Sequence, residues 1–233
     1  MYDTYSGTAT GVYRLTDGGV EPLGLESERI WAIHAWRDDG GSTILAGSYG
    51  NGLYRSSDGG ETRTCAPVIE DEDVHAITGH PQDPNVLYAA LGYASLPSRQ
   101  RDDEPRRFGG VACSRDAGKT WRKLETDYTR VVTVPPSRPD LVLAGPAPNV
   151  GRGGRIVVST DGGDTWTPAD AGIETPMPDM VEQFVAAPDD TVWAVCSGGR
   201  LLRSAPGEWF WRSAFPADAD LRVQSITFAS RAP

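Results

Sequence analysis

The chemistry open to this chain is set by its arginines, one histidine and a few carboxylates. Four arginines, Arg99, Arg101, Arg106 and Arg107, crowd the segment from Gly92 to Gly109. A guanidinium binds a carboxylate or phosphate through two parallel hydrogen bonds, so such a cluster suits a small anionic ligand. The same segment carries Asp102, Asp103 and Glu104, which neutralise the cluster if it is a solvated loop. Arg152 lies in a glycine-rich stretch, Pro146 to Arg155, where the backbone can approach a ligand closely. That stretch is not a phosphate-binding glycine loop, which needs a strand-to-helix junction. His75 has the titration range of an acid/base group, although a lone histidine serves packing and hydrogen bonding equally well. His34 and His80 have weaker claims. Cys65, Cys113 and Cys196 are too few and too scattered for a disulfide framework, and no Cys/His cluster has zinc spacing. No metal or cofactor is therefore expected.

These side chains must be held by some scaffold, and the bulk composition bounds what it is. The chain has 233 residues, and a single domain spanning 1–233 is expected. It has no run of 18 apolar residues, so no membrane span is expected. Met1-Tyr2-Asp3-Thr4 has neither a basic start nor an apolar run, which argues against a signal peptide and for the cytoplasm. The net charge is -10, with 20 Arg, 2 Lys, 21 Asp and 11 Glu. An acidic surface repels phosphate backbones, so nucleic acid is not an expected partner. Abundant Asp with almost no Lys resembles proteins of salt-loving archaea, and a GC-rich genome would also favour Arg over Lys.

One short pattern recurs and decides the architecture. Ser159-Thr160-Asp161-Gly162-Gly163-Asp164-Thr165-Trp166 is its clearest copy, and Ser114-Arg115-Asp116-Ala117-Gly118-Lys119-Thr120-Trp121 matches it throughout. Ser56-Ser57-Asp58-Gly59-Gly60-Glu61-Thr62-Arg63 has Arg63 where Trp belongs. Leu15-Thr16-Asp17-Gly18-Gly19 keeps only the turn. Ser204 to Trp211 keeps both ends but has Pro206 at the Asp position. In each copy the Asp accepts backbone N–H groups to close a turn, Gly supplies positive φ, and Trp packs on the hairpin base.

This S-x-D-x-G-x-T-W pattern resembles the Asp box of bacterial sialidases, sortilin-type receptors and photosystem assembly factors. With its flanking strands the resemblance covers essentially the whole chain. It implies an all-β fold, a single β-propeller of four-stranded blades; the count of repeats gives five, where the family usually has six or more. It also implies that Asp17, Asp58, Asp116, Asp161, Trp121, Trp166 and Trp211 are structural. The flanks support this. A short apolar strand precedes each box, for example Gly52-Leu53-Tyr54-Arg55. Before it comes a strand ending in small residues, such as Thr43-Ile44-Leu45-Ala46-Gly47. Earlier still comes a third, such as Ile30-Trp31-Ala32-Ile33-His34. Asp3 to Thr8 is a weaker first member of the second class. The Asp positions 17, 58, 116, 161 and 206 are 41, 58, 45 and 45 residues apart, one blade per unit. The first unit lacks its innermost strand. Leu221 to Ala229 reads as an innermost strand with nothing after it, so the tail is expected to close the ring.

Propellers of this kind bind ligands at one mouth of the central channel. That mouth is lined by loops entering the innermost strands and by loops between second and third strands. The mouth residues expected here are Glu28, Arg29, Trp31, Asp73, His75, Tyr128, Arg130, Glu182, Arg222 and Gln224. Ser48 to Asn51 and Ser197 to Arg200 lie on the loops. Arg29, Trp31, His75, Arg107, Arg152, Arg200 and Arg222 are the candidate ligand residues, for an unidentified protein or a small anionic ligand. A non-enzymatic binding or scaffold module is the first reading. The second is a sialidase-like hydrolase of acidic sugars. That resemblance implies three arginines on the substrate carboxylate, a Tyr–Glu nucleophile and an Asp acid/base. Tyr49 or Tyr93, Glu182 and Asp73 are the candidates for the last roles. The family's Arg-Ile-Pro motif is absent, and Glu28-Arg29-Ile30-Trp31 only echoes it.

Overall fold

The computed structural model describes residues 3–38, 41–70, 72–93, 109–124, 127–216 and 221–228. Five antiparallel sheets form, each from strands consecutive in sequence. The first contains β1 (Thr4–Thr8), β2 (Gly11–Thr16) and β3 (Gly19–Gly24). The second contains β4 (Ile30–Asp38), β5 (Gly41–Ser48), β6 (Leu53–Ser56) and β7 (Thr64–Cys65). The third is β8 (Glu72–Gly79), β9 (Leu87–Tyr93), β10 (Gly110–Ser114) and β11 (Arg122–Leu124). The fourth is β12 (Thr129–Thr133), β13 (Val142–Pro146), β14 (Val157–Ser159) and β15 (Thr167–Pro168). The fifth is β16 (Val181–Ala186), β17 (Val192–Cys196), β18 (Leu201–Ser204) and β19 (Arg212–Ser213). Successive sheets pack through the first strand of each: β1 on β4, β4 on β8, β8 on β12 and β12 on β16. This is the radial order of a β-propeller.

The small residues that end the second strands have a packing reason. A Cβ on Gly47 would lie 2.5 Å from Val74 Cγ1, and one on Gly145 would lie 2.8 Å from Val181 Cβ. Each glycine thus makes room for the β-branched residue that opens the next sheet's inner strand. The second strands are covered on both faces, which explains their unbroken apolar runs; β13 is buried throughout. Apolar clusters fill the space between each pair of neighbouring sheets from the first to the fifth. One joins Leu45 and Leu53 of the second sheet to Val74, Leu87 and Leu91 of the third.

The recurring turns share one hydrogen-bond set. At Asp161, Ser159 Oγ donates to the carboxylate (2.7 Å) and accepts from Gly163 N (2.7 Å), while Thr165 N donates to the same carboxylate (2.9 Å). Asp116 and Asp58 repeat the arrangement. The threonine hydroxyl and amide hold Asp58 and Asp161 below the usual carboxylate range, so these groups are anionic staples. At the first turn Thr16 Oγ1 donates to Gly19 O (3.2 Å), and Asp17 is exposed. Trp121 donates from Nε1 to Gly118 O (3.1 Å). Arg63 replaces the indole with a guanidinium that donates to the matching Gly60 O (3.1 Å) and reaches Leu23 O of the first sheet (2.6 Å). Trp211 is fully buried and donates to Ala169 O of the fourth sheet (2.7 Å). The Trp166 ring packs on the cluster between the third and fourth sheets.

The tail differs from the expectation. The first sheet has three strands, and residues 221–228 form no ladder with β1. Val223 N donates to Gly199 O (2.9 Å), and the Phe228 ring lies 5.8 Å from that of Trp193. The tail therefore runs along β17, in the place an inner strand of a next sheet would take. Register is weakly specified there, because β1 (Thr-Tyr-Ser-Gly-Thr) is polar and partly exposed, and Leu221 is 58% exposed.

Candidate functional site at the inner-strand mouth

Each complete sheet carries a β-bulge where its inner strand begins. Register shifts fall between Ile30 and Ala32, Val74 and Ala76, Thr129 and Val132, and Val181 and Gln183. The extra residues are Trp31, His75, Arg130 with Val131, and Glu182. A bulge frees a residue from the ladder and re-aims its side chain. Here four of them become linked across the mouth. The rings of Trp31 and His75 stack at 4.9 Å with 28° between planes. His75 Nε2 lies 3.2 Å from Tyr128 Oη, and their rings meet edge-on at 5.5 Å. Arg130 Nε donates to Tyr128 Oη (2.7 Å), and its terminal nitrogen donates to Glu182 Oε1 (2.5 Å). Tyr49, after β5, lies 4.6 Å from Trp31, and the Arg29 guanidinium stands 5.8 Å from the Tyr49 ring centre. Gly92 leaves space for this cluster, since a Cβ there would lie 2.3 Å from His75 Nε2.

The electrostatics follow from burial and Arg130. Burial, aided by Arg130, pushes His75 down to about 4. The imidazole is neutral at pH 7, and its Nε2 shares a hydrogen bond with Tyr128 Oη, which also accepts from Arg130. Asp73 is 3% exposed. Burial raises its pKa to about 6; the Gly50 amide and Arg130 oppose the rise, and Glu72 adds to it. Its Oδ1 has no hydrogen-bond partner among the described residues. Glu72 is 2% exposed, forms an ion pair with Lys123, and accepts from Gly109 N (2.9 Å).

The predicted site residues thus divide. Arg29, Trp31, Tyr49, His75 and Glu182 come together, joined by Tyr128 and Arg130, and Asp73 sits beneath them. Arg200 stands apart: its Nε donates to Asp179 Oδ2 (2.9 Å) and its second nitrogen pairs with Oδ1. Arg152 is exposed on the turn from Asn149, and Arg222 is exposed with its backbone against Gly199. Arg107, the rest of 94–108 and the Tyr93 side chain lie outside the described residues. Among the described residues no three arginines converge on one pocket. Tyr128 and Arg130 are among the residues expected at the mouth, and the structure makes them the link between His75 and Glu182. The signal was available: Trp31, His75, Arg130 and Glu182 occupy one column when the inner strands are aligned. Asp179 gave no such signal.

Buried Cys196 has its thiol pushed up to about 12 by desolvation, and Cys113 is likewise buried, so neither is poised as a nucleophile. No group of three His, Cys, Asp or Glu suited to a metal exists among the described residues. No helix among the described residues is long and apolar enough to cross a membrane.

No family model and no curated protein sequence matches the chain. Solved structures do. An ancestral GH74 enzyme superposes with a TM-score of 0.69 at 20% identity, over 91% of this chain and 29% of that one. YCF48 bound to D1 peptide gives 0.56 at 16%, over 91% of this chain and 62% of that one. The nidogen/laminin complex gives 0.58 at 10%, over 89% and 75%. The chain thus spans less than two thirds of the first two of these proteins. At such identities the likeness is one of fold, that of a β-propeller.

Proposed function

We propose that this chain is a non-enzymatic binding module of the Asp-box type, with its ligand at the inner-strand mouth and a protein or peptide segment as partner. One observation carries the reading. Four bulge residues are linked into a pre-organised cluster that ends in Trp31, which is 43% exposed. An exposed aromatic on a rigid polar support is a common anchor point for a partner. YCF48 binds the D1 peptide and nidogen binds laminin on folds of this kind, which supports a protein partner. The mouth arginine Arg130 is engaged by Glu182, and Arg200 by Asp179, which leaves little for a carboxylate clamp. The reading also takes residues 1–233 as one domain, and the Asp-rich, Lys-poor surface as suited to brine. A peptide array probed with the wild type and with Trp31→Ala tests it. Binding that survives loss of Trp31 unchanged would remove the mouth as the site.

A second reading, a glycoside hydrolase, has one observation in its favour. Asp73, held up to about 6, has the proton affinity of a general acid and acts on the same Arg130 that Glu182 pairs with. Turnover of a fluorogenic sialoside, lost in Asp73→Asn and in Arg152→Ala, would establish it. Absence of turnover leaves the binding reading alone.

A further inference from the structure

We propose that the mouth receives a cationic side chain of a peptide, a guanidinium or ammonium laid on the exposed part of the Trp31 indole. The proposal rests on the mouth being the binding surface. The mouth already shows the interaction within itself. The Tyr49 ring carries the Arg29 guanidinium at 5.8 Å, and the Tyr128 ring carries that of Arg130 at 5.7 Å. Trp has the strongest π-face for a cation, yet Trp31 holds none among the described residues and is the most exposed of the three. One side of its indole is backed by His75, whose ring is neutral and so does not oppose a cation on the other side.

The charge around Trp31 favours the same ligand. Glu182 pairs with Arg130, and Asp73 acts on the same guanidinium, two carboxyl groups on one cation. Glu72 is offset by Lys123, and Asp179 by Arg200. Asp73 contributes a carboxylate oxygen that no hydrogen-bond donor among the described residues satisfies. The whole chain is net -10, which raises the local concentration of cations and repels anions. At Arg130 and at Arg200 a small anionic ligand would have to displace Glu182 or Asp179.

The test uses three blocked tetrapeptides that differ at one position: Arg, its neutral isostere citrulline, and Glu. Binding is followed by calorimetry and by tryptophan fluorescence. The Arg peptide is expected to bind about 3–30-fold more tightly than the citrulline peptide, the range of a cation on an aromatic face. Its affinity should fall with added salt, vanish in Trp31→Ala and persist in Trp31→Phe. Glu182→Gln, which leaves Arg130 unneutralised, should weaken it severalfold. Equal affinity for Arg and citrulline peptides, or preference for Glu, would overturn the cationic ligand; if those affinities still require Trp31, the mouth stands as a site for another chemistry. No Trp31-dependent binding of the Arg peptide overturns the proposal outright. The peptide array decides separately whether the mouth binds anything.

Discussion

Asp73→Asn should stabilise this protein at neutral pH, and only there. Asp73 is 3% exposed, and its carboxyl is raised from 3.8 to about 6. In the unfolded chain the same group titrates in the ordinary range. Between roughly pH 4 and pH 6 the native state therefore holds a proton that the unfolded state has lost, so stability falls as pH rises through that window. Above it the full penalty of a buried carboxylate is present. About two pKa units at 1.36 kcal/mol each set an upper bound of roughly 3 kcal/mol. The nearby mouth admits some solvent, so a gain of about 1–3 kcal/mol is expected for the amide. The amide oxygen can still accept from the Gly50 amide, the hydrogen bond that opposes the rise. A chain of this length should gain roughly 3–9 °C in Tm. Urea unfolding of both proteins at pH 4 and pH 7.5 measures it, and the difference between them cancels the titration of every other carboxylate. The reasoning fails if the variant is no more stable at pH 7.5, or if its advantage is the same at pH 4.

Two further perturbations probe the scaffold. Arg63→Ala removes hydrogen bonds to Leu23 O and Gly60 O and should cost about 1–2 kcal/mol in urea unfolding. Arg63→Trp restores the indole donor to Gly60 O and should recover part of that, and an Ala variant as stable as the wild type would show those bonds to be inert. Gly52→Ala should cost more than about 3 kcal/mol, because its Cβ would lie 2.1 Å from Ile69 O at a φ of +75°. Gly59→Ala has the same φ with nothing within 4 Å, so it should lose only about 1 kcal/mol; equal melting temperatures for the two would refute the steric argument.

How much could be read from the sequence depends on how local each feature is. The turns were legible because Ser159, Asp161, Gly163 and Thr165 satisfy one another within seven residues. The strand classes followed from the turns, while the packing role of Gly47 and Gly145 against the next sheet depends on a partner strand far off in sequence. The bulges were not legible. Whether Trp31 leaves the ladder depends on its register with Gly47 and Ser48, a property of two strands rather than one. Arg63 read as decay of the motif, when its guanidinium takes over the indole's acceptor and adds a second in the neighbouring sheet. The expected closing strand rested on the missing inner strand of the first unit and the strand-like pattern from Leu221 to Ala229. It could not register that β1 offers mostly Thr, Ser and Gly as its partner edge.

The inner-strand bulges have an evolutionary consequence. A residue that belongs to no ladder pair is released from the two-residue alternation that governs the rest of its strand. An indole, an imidazole, a guanidinium and a carboxylate occupy that one slot in four successive units of the same polypeptide. Substitution there alters what the molecule presents while leaving the architecture beneath it untouched, so ligand preference can drift faster than stability.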